Sequence, residues 1–398
     1  MVDDLAKRIA EVARRETEYA ADLLQRIIRI PSPSCREGEV VGLLRREMES
    51  LGPDEVFTDS MGNVVARFGS GPRVILYDSH VDTVGVGDPA SWKDDPFAAA
   101  RRDGVIYGRG ASDNKAGIAC MVAGLKILTE LAERGNFTLY VVGIVQEEDC
   151  EGLAMSALLE ERNLTPECVV LGECTDLAIN RGHRGRAELE VVTRGRSCHA
   201  SAPERGDNAL YKMTPVIEGI KWLSERLASD PFLGKGSIAV TKVECDTPSL
   251  NAVPDLCRIY IDRRVVPSDT RESIAREIDE IARFAKGDVR ITTYDKASYT
   301  GYVREHLKFF PAWTVAEDSP AVSGAARTYK SLFGGPPRVG KWVFSTDGNY
   351  SMGVRKIPTI GFGPAEEKHA HASDDQVRIE DLWKSAAFYA LFPFVYSG

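Results

Sequence analysis

Residues 140–149 read YVVGIVQEED, an apolar run of strand length that stops abruptly in Glu147, Glu148 and Asp149. A short, nearly continuous apolar run suits a strand buried on both faces, the kind found in parallel sheets covered by helices. Its acidic end puts charge at the carboxyl edge of the sheet, where open α/β folds place their sites. Whether other strands end in the same way decides what kind of sheet this is.

Several do. The segment 73–82, RVILYDSHVD, delivers His80 and Asp82, and 168–174, CVVLGEC, delivers Glu173. The loop GRGASDNKAG sets Asp113 just before a helix, and KHAHASDD, following the strand IPTIGFG, supplies His369 and His371. Taken singly each has a plain structural reading. Asp113 suits a helix N-cap, His80 a hydrogen-bonded core histidine, and Glu173 a surface acid at a strand end. Together at one sheet edge, several carboxylates would repel and raise one another's pKa unless a cation lay among them. Imidazole nitrogen with carboxylate oxygen suits zinc, with cobalt or manganese able to substitute. Two histidines and three carboxylates exceed what one catalytic ion needs, so the count suits two ions about 3.5–4 Å apart. Asp82 returns to the same side of the strand as His80 and is expected to accept the second imidazole N–H.

Around these strands, periodicity predicts helices over 4–29 and 37–50, strands over 63–69 and 73–82, a helix over 114–134, a strand over 137–149, a helix near 152–162 and a strand over 168–174. That alternation implies an α/β fold with a mixed, largely parallel sheet and helices on both faces. From about Gly185 the order becomes strand, helix, strand, strand, helix, strand, ending near residue 294, which is the ferredoxin-like α+β arrangement. The α/β pattern resumes after Tyr299. The economical division is one domain of 1–184 and 299–398 with residues 185–298 inserted in it.

Composition limits the partners. Of 398 residues, 43% are hydrophobic and 27% charged, ordinary values for a chain that folds throughout. A formal net charge of −9 without a basic patch argues against nucleic acid. No run approaches the ~20 apolar residues that span a bilayer, and the N-terminus lacks a signal peptide's apolar centre. A cytoplasmic protein is expected. The eight cysteines include no C-x-x-C pair, so neither a thiolate zinc knuckle nor a redox dithiol of that type is indicated.

The ordered set SHVDTV, GRGASDNKAG, QEED, LGEC, SCHASAPERGDNA, NAVPD and HAHASDD resembles the co-catalytic zinc metallopeptidases and deacylases. That family includes acetylornithine deacetylase, succinyl-diaminopimelate desuccinylase, aminoacylase and glutamate-releasing carboxypeptidase. The resemblance covers nearly the whole chain. The wording QEEDCEG, RGHRGR and KWVFSTDG is similar to a branch called selenium-metabolism-linked hydrolases, a label that names a genomic association and not a reaction. Position by position, the resemblance implies a pair of zinc ions bridged by Asp113, one held also by His80 and Glu173 and the other by Glu148 and His371. His371 is preferred to His369 because HASDD matches the family's histidine followed by an acid four residues on.

The same resemblance implies that Glu147 is the general base and that Asp82 supports the site. His199 is expected to polarise the scissile carbonyl, often across a dimer. Asn251 and Arg264 match positions that hold a substrate carboxylate or the oxyanion, and Thr346, Asp347 and Gly348 of FSTDGN match a turn lining the substrate site. The expected activity is hydrolysis of an amide bond in a small carboxylate-bearing substrate, an acyl-amino acid or a short peptide, by a homodimer joined through the insertion. Within that activity the alternatives are a dipeptidase or carboxypeptidase and an N-acyl-amino-acid deacylase; outside it, a metal-bound protein that binds without hydrolysing. A Cys198-His199 nucleophile is disfavoured because neighbours on an extended segment point apart. A dinucleotide loop fails because Asp113 stands where the third glycine is needed. Cys174 replaces the family's usual proline after Glu173, and Cys150 lies just past the acids; packing is the preferred reading of both thiols, and oxidation of either as a route to inactivation is the alternative.

Overall fold

The computed structural model describes residues 2–398. Its larger sheet has a parallel centre made of strands Phe137–Ile144, Arg73–His80, Cys168–Leu171 and Thr359–Gly361, adjacent in that order. Antiparallel strands Val64–Phe68 and Glu55–Thr58 extend one side. The other side continues through Ile179–His183, which is flanked by Trp313–Thr314 and Val339–Trp342. Strand Phe137–Ile144 lies between Val64–Phe68 and Arg73–His80 and is buried almost throughout, so its residues do not alternate in polarity. Helices Lys115–Leu131 and Ile379–Ser397 pack on each other and on this sheet. At that contact Phe362 stacks on Phe388 with ring centres 3.8 Å apart.

Strand Gly185–Arg194 opens a second, wholly antiparallel sheet in the order Ser237–Asp246, Leu256–Val265, Gly185–Arg194, Asp288–Ile291. Helices Ala209–Glu225 and Arg271–Ala282 complete the ferredoxin-like pattern. This sheet has its own core, built around residues such as Leu189, Ile259, Val216 and Ile278, separate from the core of the larger sheet. Phe309–Phe310, beyond residue 298, adds a short fifth strand beside Ala187 and Arg186. The chain thus leaves the larger sheet and returns to it at one place.

Element ends differ from the periodicity. The expected helix over 4–29 divides into Val2–Arg15 and Thr17–Ile28. At the junction the Thr17 hydroxyl donates to the Arg14 carbonyl at 2.7 Å, a local bond that competes with regular helix. The strands expected to run to 82, 149 and 174 stop at His80, Ile144 and Leu171. Except for His80, which ends its strand, their polar residues therefore lie in the turns beyond the sheet, free to converge.

Gly185 marks the crossing between the two sheets. A Cβ there would lie 2.1 Å from the Phe310 carbonyl oxygen and 2.4 Å from the Ala312 nitrogen, both backbone atoms that cannot swing aside. Gly185→Ala is therefore expected to destabilise the fold by about 1–3 kcal/mol, the usual range for overpacking. A lowered midpoint in urea unfolding, with unchanged slope, would show it.

Candidate metal and catalytic site

Three strand ends and two loops meet at one edge of the larger sheet. Asp113 lies between two imidazoles: its Oδ1 is 3.0 Å from His80 Nε2 and its Oδ2 is 3.3 Å from His371 Nε2. His371 Nε2 is also 2.9 Å from Glu148 Oε2. On the other side, His80 Nε2 is 3.7 Å from Glu173 Oε1 and 3.9 Å from Glu147 Oε2. Ligand atoms of His80, Asp113 and Glu148 all fall within 4.8 Å of one another. Asp113 does not cap the helix that follows. The N-cap position is Asn114, and its side chain makes no capping bond.

The supports are specific. Asp82 does more than orient His80. The nearest partner of His80 Nδ1 is the Asp82 backbone carbonyl at 3.0 Å, with the carboxylate at 3.5 Å. The Asp82 carboxylate instead accepts the backbone N–H groups of Glu147 at 3.1 Å and Glu148 at 3.2 Å, and the Ser34 hydroxyl at 2.6 Å. Strand-end geometry suggested a side-chain bond to imidazole, but the turn of the acids lies closer. Gln146, just before that turn, holds φ 56°, a conformation rare for a side-chain-bearing residue. It is fixed by Glu37, which accepts its N–H at 3.0 Å, and by Tyr294, whose hydroxyl takes its side-chain N–H at 2.7 Å.

Asp375 plays a corresponding part for the two loops. Its buried carboxylate accepts the N–H groups of Gly110 and Ser112, each at 2.7 Å, the Ser112 hydroxyl at 2.8 Å and the Arg109 guanidinium at 3.1 Å. The acid four residues after His371 therefore fastens the loop that carries Asp113. His369 points elsewhere, toward Asp374 at 3.1 Å and Gln376 at 3.2 Å.

Electrostatics show that the cluster suits a cation. Burial pushes the Glu147 carboxyl well above the usual carboxylate range; Glu173, Asp347 and Glu151 push the same way and His80 opposes them. Glu173 is raised in the same manner by burial and by Asp113 and Asp347. Its Oε2 is buried with no hydrogen-bond partner. Burial disfavours a charged His80, yet Glu147, Asp113 and Asp82 outweigh it and lift the imidazole well above its ordinary value. Hydrogen bonds to Asp113 and Glu148 hold His371 up at about 10. Asp113 resists the effect of burial because both imidazoles bond to it, and it stays below the normal carboxylate range. Positive charge is favoured at the centre, and the nitrogen and oxygen donors fit a divalent metal ion.

A cavity of about 240 Å³ opens onto Asp113, Glu147, Glu148, Glu173 and His371. Arg264 lines it, held by Asp262 through contacts of 2.9 and 3.2 Å. So do Glu151, Arg186, Phe344, Ser345 and Glu367, which the sequence did not single out. Arg186 pairs with Glu151 at 2.7 Å; both lie in the quoted stretches RGHRGR and QEEDCEG, so unusual charge at a strand start was the available signal. Thr346 and Gly348 are beneath the wall. Thr346 donates its N–H to His183 Nε2 at 3.1 Å, and Gly348 lies against Trp313. Within one chain, neither His199 nor Asn251 lines this cavity. They are neighbours in exposed loops, joined where the Ala200 N–H meets the Asn251 carbonyl at 2.7 Å. Cys150 and Cys174 are buried, out of reach of a dissolved oxidant, and burial pushes both thiols up.

Residues 76–393 match the model of peptidase family M20/M25/M40. The chain belongs to this family. It is 42% identical to the Escherichia coli K12 protein YgeY over 387 residues, covering 96% of each chain. It is 27% identical to a succinyl-diaminopimelate desuccinylase from Magnetococcus marinus, covering 90% of this chain and 93% of that one. A solved structure of a Bacillus subtilis protein described as a dinuclear metal-binding peptidase of the M20 family, YXEP, superposes with a TM-score of 0.68 at 15% identity, covering 96% and 99%. The protein is accordingly a metal-dependent hydrolase of the M20 family, and hydrolysis of amide bonds is its reaction type. Among the described residues no helix is long and apolar enough to cross a membrane.

Two outcomes follow from the geometry. His371→Ala is expected to lower bound metal per chain while His369→Ala leaves it unchanged, measured by elemental analysis after gel filtration. The second concerns His183, whose Nδ1–H donates to the Arg184 carbonyl at 2.8 Å while Nε2 accepts from Trp313 at 2.7 Å. With both nitrogens used, burial lowers its pKa to about 4. The unfolded chain takes up that proton at its ordinary pKa near 6.5, so stability contributed by neutral His183 falls as pH drops from about 6.5 to 4. The loss is on the order of 3 kcal/mol. His183→Gln should flatten this part of the stability–pH curve relative to wild type.

Proposed function

We propose that the protein holds two metal ions, zinc by preference with cobalt or manganese able to substitute, and cleaves an amide bond in a small carboxylate-bearing substrate. The observation that carries the two-ion reading is Asp113, which offers one carboxylate oxygen toward each imidazole. His80 and Glu173 would complete one ligand set, and Glu148 and His371 the other. When bound, such ions supply Lewis acidity that polarises a carbonyl and makes water acidic near neutral pH.

Glu147 is the general base in this reading. It is buried beside His80 yet faces the cavity, where a carboxylate can take a proton from water and give it to the leaving amine. Asp82 fixes the turn that carries Glu147 and Glu148 by holding both backbone N–H groups. Arg264, with a planar guanidinium at the cavity wall, selects a free carboxylate. Thr346 and Gly348 shape that wall from beneath.

Residues 1–184 and 299–398 form the catalytic unit and 185–298 the lid in this proposal. His199 and Asn251 stabilise the developing oxyanion. Since neither reaches the cavity of its own chain here, a second copy docked through the inserted sheet brings them. Exposed Tyr211, Trp222 and Leu250 on that unit support such docking. The desuccinylase relative supports an acyl-amino-acid substrate, with short peptides as the alternative. The many free thiols accord with a cytoplasmic setting.

Glu147→Gln should retain both metals by elemental analysis and lose about 10²–10⁴-fold in turnover when acyl-amino acids and dipeptides are screened. Full turnover in that variant would remove Glu147 from the role.

A further inference from the structure

Two of the eight cysteines face each other. Strands Ser237–Asp246 and Leu256–Val265 run antiparallel with Cys245 directly opposite Cys257. Opposed residues of antiparallel strands have Cα atoms about 4.5 or 5.5 Å apart and side chains on one face. That separation lies inside the roughly 4.4–6.8 Å over which a disulfide can close. Cys257 is buried in the core of the smaller sheet, whereas Cys245, on an edge strand, is exposed. Burial pushes the Cys257 thiol up to about 11, and the neighbouring Cys245 thiol pushes it the same way. One thiol therefore meets solvent while its partner waits beneath it.

The pair stands at the neck of the connection 246–256. That connection carries Asn251 and backs the His199 segment: Ala200 N–H donates to the Asn251 carbonyl at 2.7 Å, Val253 N–H donates to the Cys198 carbonyl at 2.8 Å, and His199 bridges to Ala252. Linking the neck removes freedom from everything between the two sulfurs.

We propose that Cys245 and Cys257 are a redox-active cross-strand dithiol whose reversible disulfide clamps the connection 246–256 and with it Asn251 and the His199 segment. The oxidant is a peroxide. The Cys245 thiolate attacks one oxygen of hydrogen peroxide, forming S–O, breaking O–O and, after proton transfer, releasing water. The Cys257 thiol then attacks the Cys245 sulfenic acid, forming S–S, breaking S–O and releasing a second water. Two thiols are oxidised by two electrons and one peroxide is reduced; a dithiol reductant reverses the step. The effect on catalysis rests on the roles proposed above for Asn251 and His199, while the disulfide and the clamp do not.

The test uses the full-length, metal-loaded protein treated with equimolar hydrogen peroxide. Peptide mapping without reduction should recover a Cys245–Cys257 cross-link within one chain, reversed by dithiothreitol. Amide hydrogen exchange across 246–256 should slow on the order of tenfold in the oxidised protein, with no slowing in Cys245→Ser or, as a second variant, Cys257→Ala. Peroxide should shift turnover reversibly in the wild type only. Recovery of Cys245 as sulfinic acid beside a free Cys257 thiol overturns the proposal. So does a cross-link joining two chains, or a cross-link that leaves exchange unchanged. A cross-link with slowed exchange but unaltered turnover upholds the clamp and counts against the catalytic roles of Asn251 and His199.

Discussion

Repulsion among buried carboxylates is the constraint around which the larger unit is arranged. Asp113, Glu147 and Glu173 are nearly inaccessible, Glu148 adjoins them, and His80 and His371 stand among them as bases. Held together without positive charge, these acids would take up protons, as the upward shifts of Glu147 and Glu173 show. The fold resists their separation with directed bonds. Asp82 holds the turn of Glu147 and Glu148, and Asp375 holds the loop of Asp113. Each brace is itself an acid that directs its oxygens at backbone N–H groups, so it orders the turn or loop it holds. Positive φ values at Gln146 and His371 belong to the same arrangement, since strained backbone persists only where the surroundings over-determine it.

The sheet edge was legible because burial on both faces leaves a continuous apolar run, and the acid or histidine that ends it breaks the pattern conspicuously. QEED, DSHVD and LGEC all announce themselves in this way, and the ferredoxin-like order of the smaller sheet was readable from alternating periods. Long-range braces were not. Nothing local to Asp375 says that it reaches Gly110 and Ser112, 265 and 263 positions away. Arg186 likewise becomes a cavity residue only because its strand lies beside Leu256–Val265, opposite Arg264. The turn FSTDGN suggested contact through Thr346 and Gly348, yet its neighbours Phe344 and Ser345 face the cavity. Turn chemistry gives the bend, and packing against Trp313 and His183 decides which side is out.

The two sheets meet the cavity with different kinds of side chain. The larger one contributes acids and imidazoles, and the smaller contributes Arg186 and Arg264 from directly opposed positions on neighbouring strands. Like charges so placed repel, and Glu151, Glu188 and Asp262 offset them. The polarity across the cavity is therefore built into the register of one strand pair and not into a mobile loop.

Strand Thr359–Gly361 belongs late in the chain but lies inside the sheet, between Cys168–Leu171 and Ile179–His183. Residue 371 follows it, after the whole of the smaller sheet has been made. During synthesis the early strands and Asp113 are accordingly made before the strand that fills the seam between them, and His371 joins the acids only after that strand has emerged. The order of residues thus delays completion of the cluster until both sheets have been made, and a chain truncated before residue 371 would carry the acids without one of the two imidazoles that stand among them.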